Sequence, residues 1–227
     1  MDTFRVMEIK KSVFDDNDQR AAMLRNELQE QGVFLLNLMS SPGSGKTTCL
    51  AKTVESLHGS MGIGVMEADI DSDVDARTIG EVGAKVIQLH TGGMCHLDAS
   101  MTRQGVEGLG TKDLDLIVLE NIGNLICPAD FDTGASKNAM ILSVPEGDDK
   151  PLKYPGMFSM ADVLIISKMD TLGVFDFDLD AVKERVRALN PNISIFPLSA
   201  KTGEGMEAWT QWLQKEVAEW KKGATHA

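Results

Sequence analysis

Apolar residues recur along this chain in two rhythms. Seven short runs, at 33–39, 63–67, 85–89, 114–120, 139–144, 163–167 and 193–198, are apolar nearly throughout. Unbroken runs of that length predict strands covered on both faces, as in a parallel sheet. Between them apolar residues return every three or four positions, as in Leu50, Val54 and Leu57, or Leu179, Val182, Val186 and Leu189. That spacing puts them on one side of a helix. Asp178 is the expected cap of the 179–189 helix and Asn190-Pro191 its stop. Met206, Trp209, Leu213 and Val217 stripe a last helix, where core packing is the expected role of Trp209 and its neighbours Trp212 and Trp220. Ahead of the first strand, Ala21, Leu24 and Leu28 form another stripe, with Asn17 or Asp18 as its cap and Gly32 as its end. Strands alternating with helices predict an α/β fold, a doubly wound, mostly parallel sheet with helices on both faces. The chain divides into an N-terminal helical segment at 1–32 and one α/β domain at 33–222. The stretch 146–154, Glu-Gly-Asp-Asp-Lys-Pro-Leu-Lys-Tyr, follows neither rhythm and predicts a surface loop.

Composition narrows the class. The length of 227 residues suits one α/β domain with a full core. A formal net charge of −12 argues against nucleic acid, whose phosphates would be repelled. Lys201, Lys221 and Lys222 do not gather into a basic stripe. No run reaches the length of a membrane span, and the N-terminus lacks a signal-like apolar core. Three cysteines without framework spacing fit a reducing compartment, so the expected location is the cytoplasm.

The first strand runs straight into Ser40-Ser41-Pro42-Gly43-Ser44-Gly45-Lys46-Thr47-Thr48. This is a phosphate-binding loop with Ser40 at its first, usually glycine, position. Backbone N–H groups from Ser41 through Thr48, Pro42 excepted, would converge on the phosphates, helped by the positive end of the following helix. Lys46 would neutralise β- and γ-phosphate charge, and the Thr47 hydroxyl would ligate Mg²⁺. At the end of a late strand stands Ser167-Lys168-Met169-Asp170. The Asp170 carboxylate can accept from both N1–H and the exocyclic amine of guanine, whereas adenine would present a lone pair. Lys168 can lay its alkyl stem along the base. Ser199-Ala200-Lys201 would touch the base through backbone N–H. Together these elements resemble the Asn-Lys-x-Asp and Ser-Ala-Lys motifs of GTPases. Ser167 replaces the usual Asn, which predicts a weaker tie between base loop and phosphate loop.

Acidic residues close two other strands. Asp69 and Glu120 are the expected Mg²⁺ and catalytic carboxylates, alongside Lys46, because ligands of open parallel sheets sit beyond the carboxyl ends of strands. Asp71, Ser72 or Asp73 would cap the helix after Asp69. Gly123 would let backbone approach the γ-phosphate, making 121–124 a candidate switch. The thiols are less decided. Cys95-His96 follows Gly92-Gly93, and Cys127 lies just past the candidate switch. A lone cysteine is commonly a small buried hydrophobe. A thiol at a helix start, its pKa lowered by the dipole, would instead suit a metal. The residues alone leave both readings open.

Four stretches together resemble the nickel-insertion GTPase family of hydrogenase maturation, HypB: 37–48, Cys95-His-Leu-Asp-Ala99, Glu120-Asn-Ile-Gly-Asn-Leu-Ile-Cys-Pro128, and 143–155. The likeness runs from about Ile9 to Leu213. It implies a GTPase that cycles between GTP and GDP and forms a GTP-dependent homodimer. It further implies nickel or zinc at the dimer interface, with Cys95, His96 and Cys127 as ligands. A second nickel chaperone and the hydrogenase large subunit are the implied partners. Turnover is expected to be slow, because neither an arginine finger nor a water-positioning Gln is evident. Residues 1–30 contain neither Cys nor His, so no His-rich nickel store is expected there. Ser100 stands where members often carry a further His, which leaves the fourth ligand to water or the partner chain. A urease-type nickel chaperone typically has Cys-Pro-His at the Cys95-His96 position. A small-molecule kinase with the same loop would need an Arg-bearing lid.

Overall fold

The computed structural model describes residues 9–69 and 74–224, without the side chains of 9–14, 69 and 74–76. Its elements alternate as the rhythm requires. Helix α1 (Ile9–Glu30) precedes β1 (Phe34–Ser40), α2 (Lys46–Leu57), β2 (Ile63–Asp69), α3 (Val74–Glu81) and β3 (Lys85–His90). Then come α4 (Ala99–Leu109), β4 (Leu116–Glu120), β5 (Lys137–Ser143), α5 (Lys150–Lys153) and α6 (Pro155–Met160). The chain closes with β6 (Val163–Ser167), α7 (Leu179–Leu189), β7 (Ser194–Pro197) and α8 (Met206–Ala224). Among the described residues seven strands form one sheet, in the order β3-β2-β4-β1-β5-β6-β7. Every pairing is parallel. The central strand β1 is buried from end to end, and β4 and β6 likewise. Parallel strands buried on both faces are therefore continuous apolar runs, while the edge strands β3 and β7 are only partly covered.

The two faces pack differently. On one, Phe34, Leu36 and Leu38 meet Leu50 and Val54 of α2 and Trp209 and Leu213 of α8 in a single cluster. On the other the apolar residues form two clusters. Leu35 joins α1 and α4 through Leu24, Leu28, Val106 and Leu109. Met39 joins α6 and α7 through Phe158, Val182 and Val186. No described helix is long and apolar enough to cross a membrane.

Two expectations from sequence need correction. Helix α1 does not start at Asn17 or Asp18 but runs back to Ile9. Asn17 lies inside it, where its Nδ2 donates to the Asp132 carbonyl (2.9 Å) and its Oδ1 accepts from the Ala99 N–H (3.0 Å). Its polar group is satisfied by tertiary partners, not by the helix's own first turn. The 146–154 stretch is not a plain loop. It holds a 3₁₀ turn at Val144–Glu146, closed by a capping box from Ser143 and Glu146, and then α5. The expected cap among Asp71, Ser72 and Asp73 lies outside the described residues. At α7 chemistry and boundary agree: Asp178 accepts from the N–H groups of Asp180 and Ala181.

Candidate functional site

The phosphate loop joins β1 to α2. Gly45 caps α2 with φ 91°, a left-handed conformation, and Gly43 has φ 74°. Side chains other than Gly rarely accept either angle, so both positions are fixed by the turn that brings backbone N–H groups to one point. Ser44 Oγ donates to Ser40 Oγ at 2.6 Å, and Ser40 Oγ to the Ser41 carbonyl at 2.8 Å. The serine in place of the first glycine thus braces the loop internally.

Around this loop opens a cleft of about 590 Å³. Pro42, Gly43, Gly45, Lys46, Thr47 and Thr48 form one wall, and Asn121, Ile122 and Gly123 another. Glu120 lies at its base, and the Thr47 hydroxyl donates to Glu120 Oε1 at 2.9 Å. A Cβ on Gly123 would lie 3.0–3.2 Å from Pro42, a tight contact, so glycine eases the close approach of the 121–124 loop to the phosphate loop. Glu67 also lines the cleft at 3% exposure, beside Glu120 at 1%. The two residues pair in register across β2 and β4. Sequence reasoning passed over Glu67 in favour of Asp69. The usable signal was position, since Glu67 and Glu120 occupy matching ends of adjacent strands. Asp69 closes β2 opposite His90, and its side chain lies outside the described residues.

A second pocket of about 220 Å³ adjoins the first, sharing Gly45, Thr48 and Lys168 with it. Its lining includes Ser167, Asp170, Ser199, Ala200 and Lys201 from the ends of β6 and β7, with Ser44 and Cys49 from the loop and α2. Asp170 is held by Ser199 Oγ, which donates to Oδ1 at 2.7 Å, and by Lys201 Nζ, 3.9 Å from Oδ2. Lys168, itself left-handed at φ 60°, donates from Nζ to the Gly43 carbonyl at 2.7 Å. Ser167 Oγ donates to the Ser44 carbonyl at 2.8 Å, so the tie between base loop and phosphate loop is present with serine. Burial pushes the Cys49 thiol up to about 12.

The third group lies on the loop before α4 and the turn after β4. Cys95 is exposed and Cys127 partly so. Cys95 Sγ stands 3.7 Å from His96 Nδ1, and the His96 ring stacks on Phe131 with centroids 3.8 Å apart. A hydrogen bond with Cys127 holds the Cys95 thiol above the ordinary thiol range. Both the place and the direction differ from expectation. Helix α4 begins at Ala99 behind the Asp98 cap, so its dipole does not reach Cys95, and a neighbouring thiol sets the shift instead. The turn carrying Cys127 continues directly from Asn121–Asn124, and Asn124 Nδ2 reaches back to the Cys95 carbonyl at 3.4 Å. Among the described residues no three His, Cys, Asp or Glu side chains are gathered in metal-ready geometry. The chain therefore sets Cys95 beside both Cys127 and His96, with the His96 ring also stacked on Phe131.

Comparison with known proteins agrees with this layout. A family model described as CobW/HypB/UreG, nucleotide-binding domain, matches residues 34–197. The hydrogenase maturation factor HypB of Rhizobium leguminosarum bv. viciae is 44% identical over 214 residues, covering 94% of this chain and 72% of that protein. A crystal structure of HypB from Helicobacter pylori in complex with nickel superposes with a TM-score of 0.84 at 39% identity, covering 90% of this chain and 96% of that one. A crystal structure of the hydrogenase maturation factor HypB from Archaeoglobus fulgidus gives a TM-score of 0.83 at 35% identity, covering 89% and 99%. With the family model spanning every strand of the sheet and the relatives spanning nearly the whole chain, this protein belongs to the CobW/HypB/UreG family and, within it, to the HypB group.

Proposed function

We propose that this chain is a GTP-hydrolysing metallochaperone that carries nickel for insertion into a [NiFe]-hydrogenase. The observation that carries the reading is the segment 120–127. One short stretch begins at Glu120, whose Oε1 accepts from the phosphate-loop Thr47, holds Asn124, whose Nδ2 reaches the Cys95 carbonyl at 3.4 Å, and ends at Cys127, the neighbour that raises the Cys95 thiol. Whatever moves the phosphate end of this stretch is transmitted to the thiols.

The donor set of the cleft is hard oxygen: the Thr47 hydroxyl with the Glu120 and Glu67 carboxylates. That set suits Mg²⁺, which would neutralise charge building on the β- and γ-phosphates, with Asp69 as a further carboxylate. Lys46 binds the same phosphates, and the backbone from Ser41 to Thr48 orients them. The second pocket takes guanine, with Asp170 pre-aimed by Ser199 and Lys201. Turnover is proposed to be slow. The γ-phosphate orders 121–127 against Pro42, and hydrolysis relaxes it. Two chains pair with GTP bound and share the metal through Cys95, His96 and Cys127 of each. Thiolate and imidazole accept nickel and zinc alike. The neighbour from Helicobacter pylori, solved with nickel, supports nickel as the cargo. A second nickel chaperone and the hydrogenase large subunit are the proposed partners, and the cytoplasm the proposed location.

The test is metal titration of a Cys95→Ala, Cys127→Ala double variant. Nickel binding is expected to be lost while GTP binding is kept. Unchanged nickel binding would remove both thiols from the site.

A further inference from the structure

One of the strands buried from end to end carries a side chain that does not belong to an apolar core. β1 reads Phe-Leu-Leu-Asn-Leu-Met-Ser, and Asn37 at its middle is 1% exposed. Its Oδ1 accepts from Asn121 Nδ2 at 3.0 Å, and its Nδ2 donates to Asn138 Oδ1 at 2.9 Å. Asn121, also 1% exposed, accepts with its own Oδ1 from the Ile122 N–H at 2.9 Å. The direction of this ladder is fixed by chemistry. A backbone N–H can only donate, so Asn121 must present oxygen to Ile122 and nitrogen to Asn37, and Asn37 must then present nitrogen to Asn138.

Its position is equally specific. Asn37 and Asn138 are register partners on β1 and β5. They lie on the face where Leu35 belongs to one apolar cluster and Met39 to the other. A leucine at 37 would fuse the two clusters, whereas a buried amide is tolerated only with its hydrogen bonds made. The upper end of the ladder leads to function. Asn121 opens the loop whose Ile122 and Gly123 line the phosphate cleft, with Gly123 against Pro42. The lower end sits in β1, the strand that delivers the phosphate loop itself. Asn37 does not line the cleft.

We propose that Asn37 is a positioning residue: through Asn121 it presets the 121–124 loop against the phosphate loop, and so sets the protein's preference for GTP over GDP. The proposal rests on the GTPase reading above. A diphosphate needs only the phosphate loop and the base pocket. A γ-phosphate needs the 121–124 loop in register as well, so loosening the ladder weakens triphosphate binding selectively.

The experiment compares Asn37→Leu and Asn138→Ala with the native chain. It measures affinity for GDP and for a non-hydrolysable GTP analogue, together with kcat and KM for GTP. In Asn37→Leu, GDP affinity is expected to stay within about twofold, while analogue affinity and kcat each fall about tenfold, the scale of one lost buried hydrogen bond. Asn138→Ala keeps the Asn121–Asn37 bond and is expected to lose about threefold in the same direction. If Asn37→Leu does not fold, Asn138→Ala decides alone. Equal weakening of both nucleotides, or a lower Tm with the native GTP-to-GDP ratio, overturns the proposal. A native chain with no affinity for GTP overturns the GTPase reading instead.

Discussion

Ser167 reaches the Ser44 carbonyl with one hydroxyl, and that bond joins the loop under the base to the loop under the phosphates. Its removal by Ser167→Ala strands a buried carbonyl, at a cost of about 1 kcal/mol. Both GTP and GDP share the two loops. Nucleotide titration is therefore expected to show about fivefold weaker binding of each, with no gain for ATP, because Asp170 keeps its Ser199 bond. At this scale the sequence is readable where a ligand imposes spacing. Lys46 and Thr47 stand out because a triphosphate needs lysine and hydroxyl adjacent after a glycine turn. Glu67 and Asn37 do not, since one acid at a strand end or one amide in an apolar run has no local partner to mark it. Their partners, Glu120 and Asn121, are adjacent only once the sheet is assembled. The same holds for Cys95, whose shifted thiol answers to Cys127 on a different loop.

Among the elements, strands were legible because double burial leaves no polar alternation to misread, and α7 because its cap and stop are local. α1 and α5 were not. The start of α1 is hidden by Asn17, a residue that looks like a cap and instead bonds to Asp132 and Ala99. α5 is too short to show a period, and tertiary contacts hold it in place. Asp148, just ahead of it, accepts from the Asp178 N–H at 2.9 Å and from Arg185 Nη1 at 2.8 Å. The Asp178 backbone donor, then Arg185, holds the Asp148 carboxyl below its usual range. A carboxyl depressed in the folded state contributes stability above its unfolded pKa, near 3.9, and loses it as pH falls through the folded value. Asp148→Asn is accordingly expected to lower stability at pH 7 by about 1 kcal/mol, with the gap to native closing below about pH 4 in thermal melts across pH.

For the molecule as a whole, the strand order decides where everything meets. With β1 between β4 and β5, the phosphate loop, Glu120 and Glu67 converge at the carboxyl ends of three neighbouring strands, and β6 and β7 add the base pocket alongside. The rhythm of the sequence shows an α/β sheet but not this order, which depends on which helix covers which face. The Cys95 and Cys127 loops open from the same edge, so a second copy could cover nucleotide and thiols together. Sizing with nickel and a non-hydrolysable GTP analogue is expected to give a dimer, and GDP alone a smaller species. A monomer in every state would remove the shared metal site from the mechanism.

The burial of Cys49 has one more effect. Of the chain's three cysteines, Cys49 is buried against the base pocket with its proton held to about pH 12, while Cys95 is exposed and Cys127 partly exposed on the loops that follow β3 and β4. Alkylating reagents attack thiolates that solvent can reach. The fold has thus sorted its own thiol chemistry: a dye or spin label aimed at cysteine is addressed to the Cys95 and Cys127 loops alone, with the native sequence left intact.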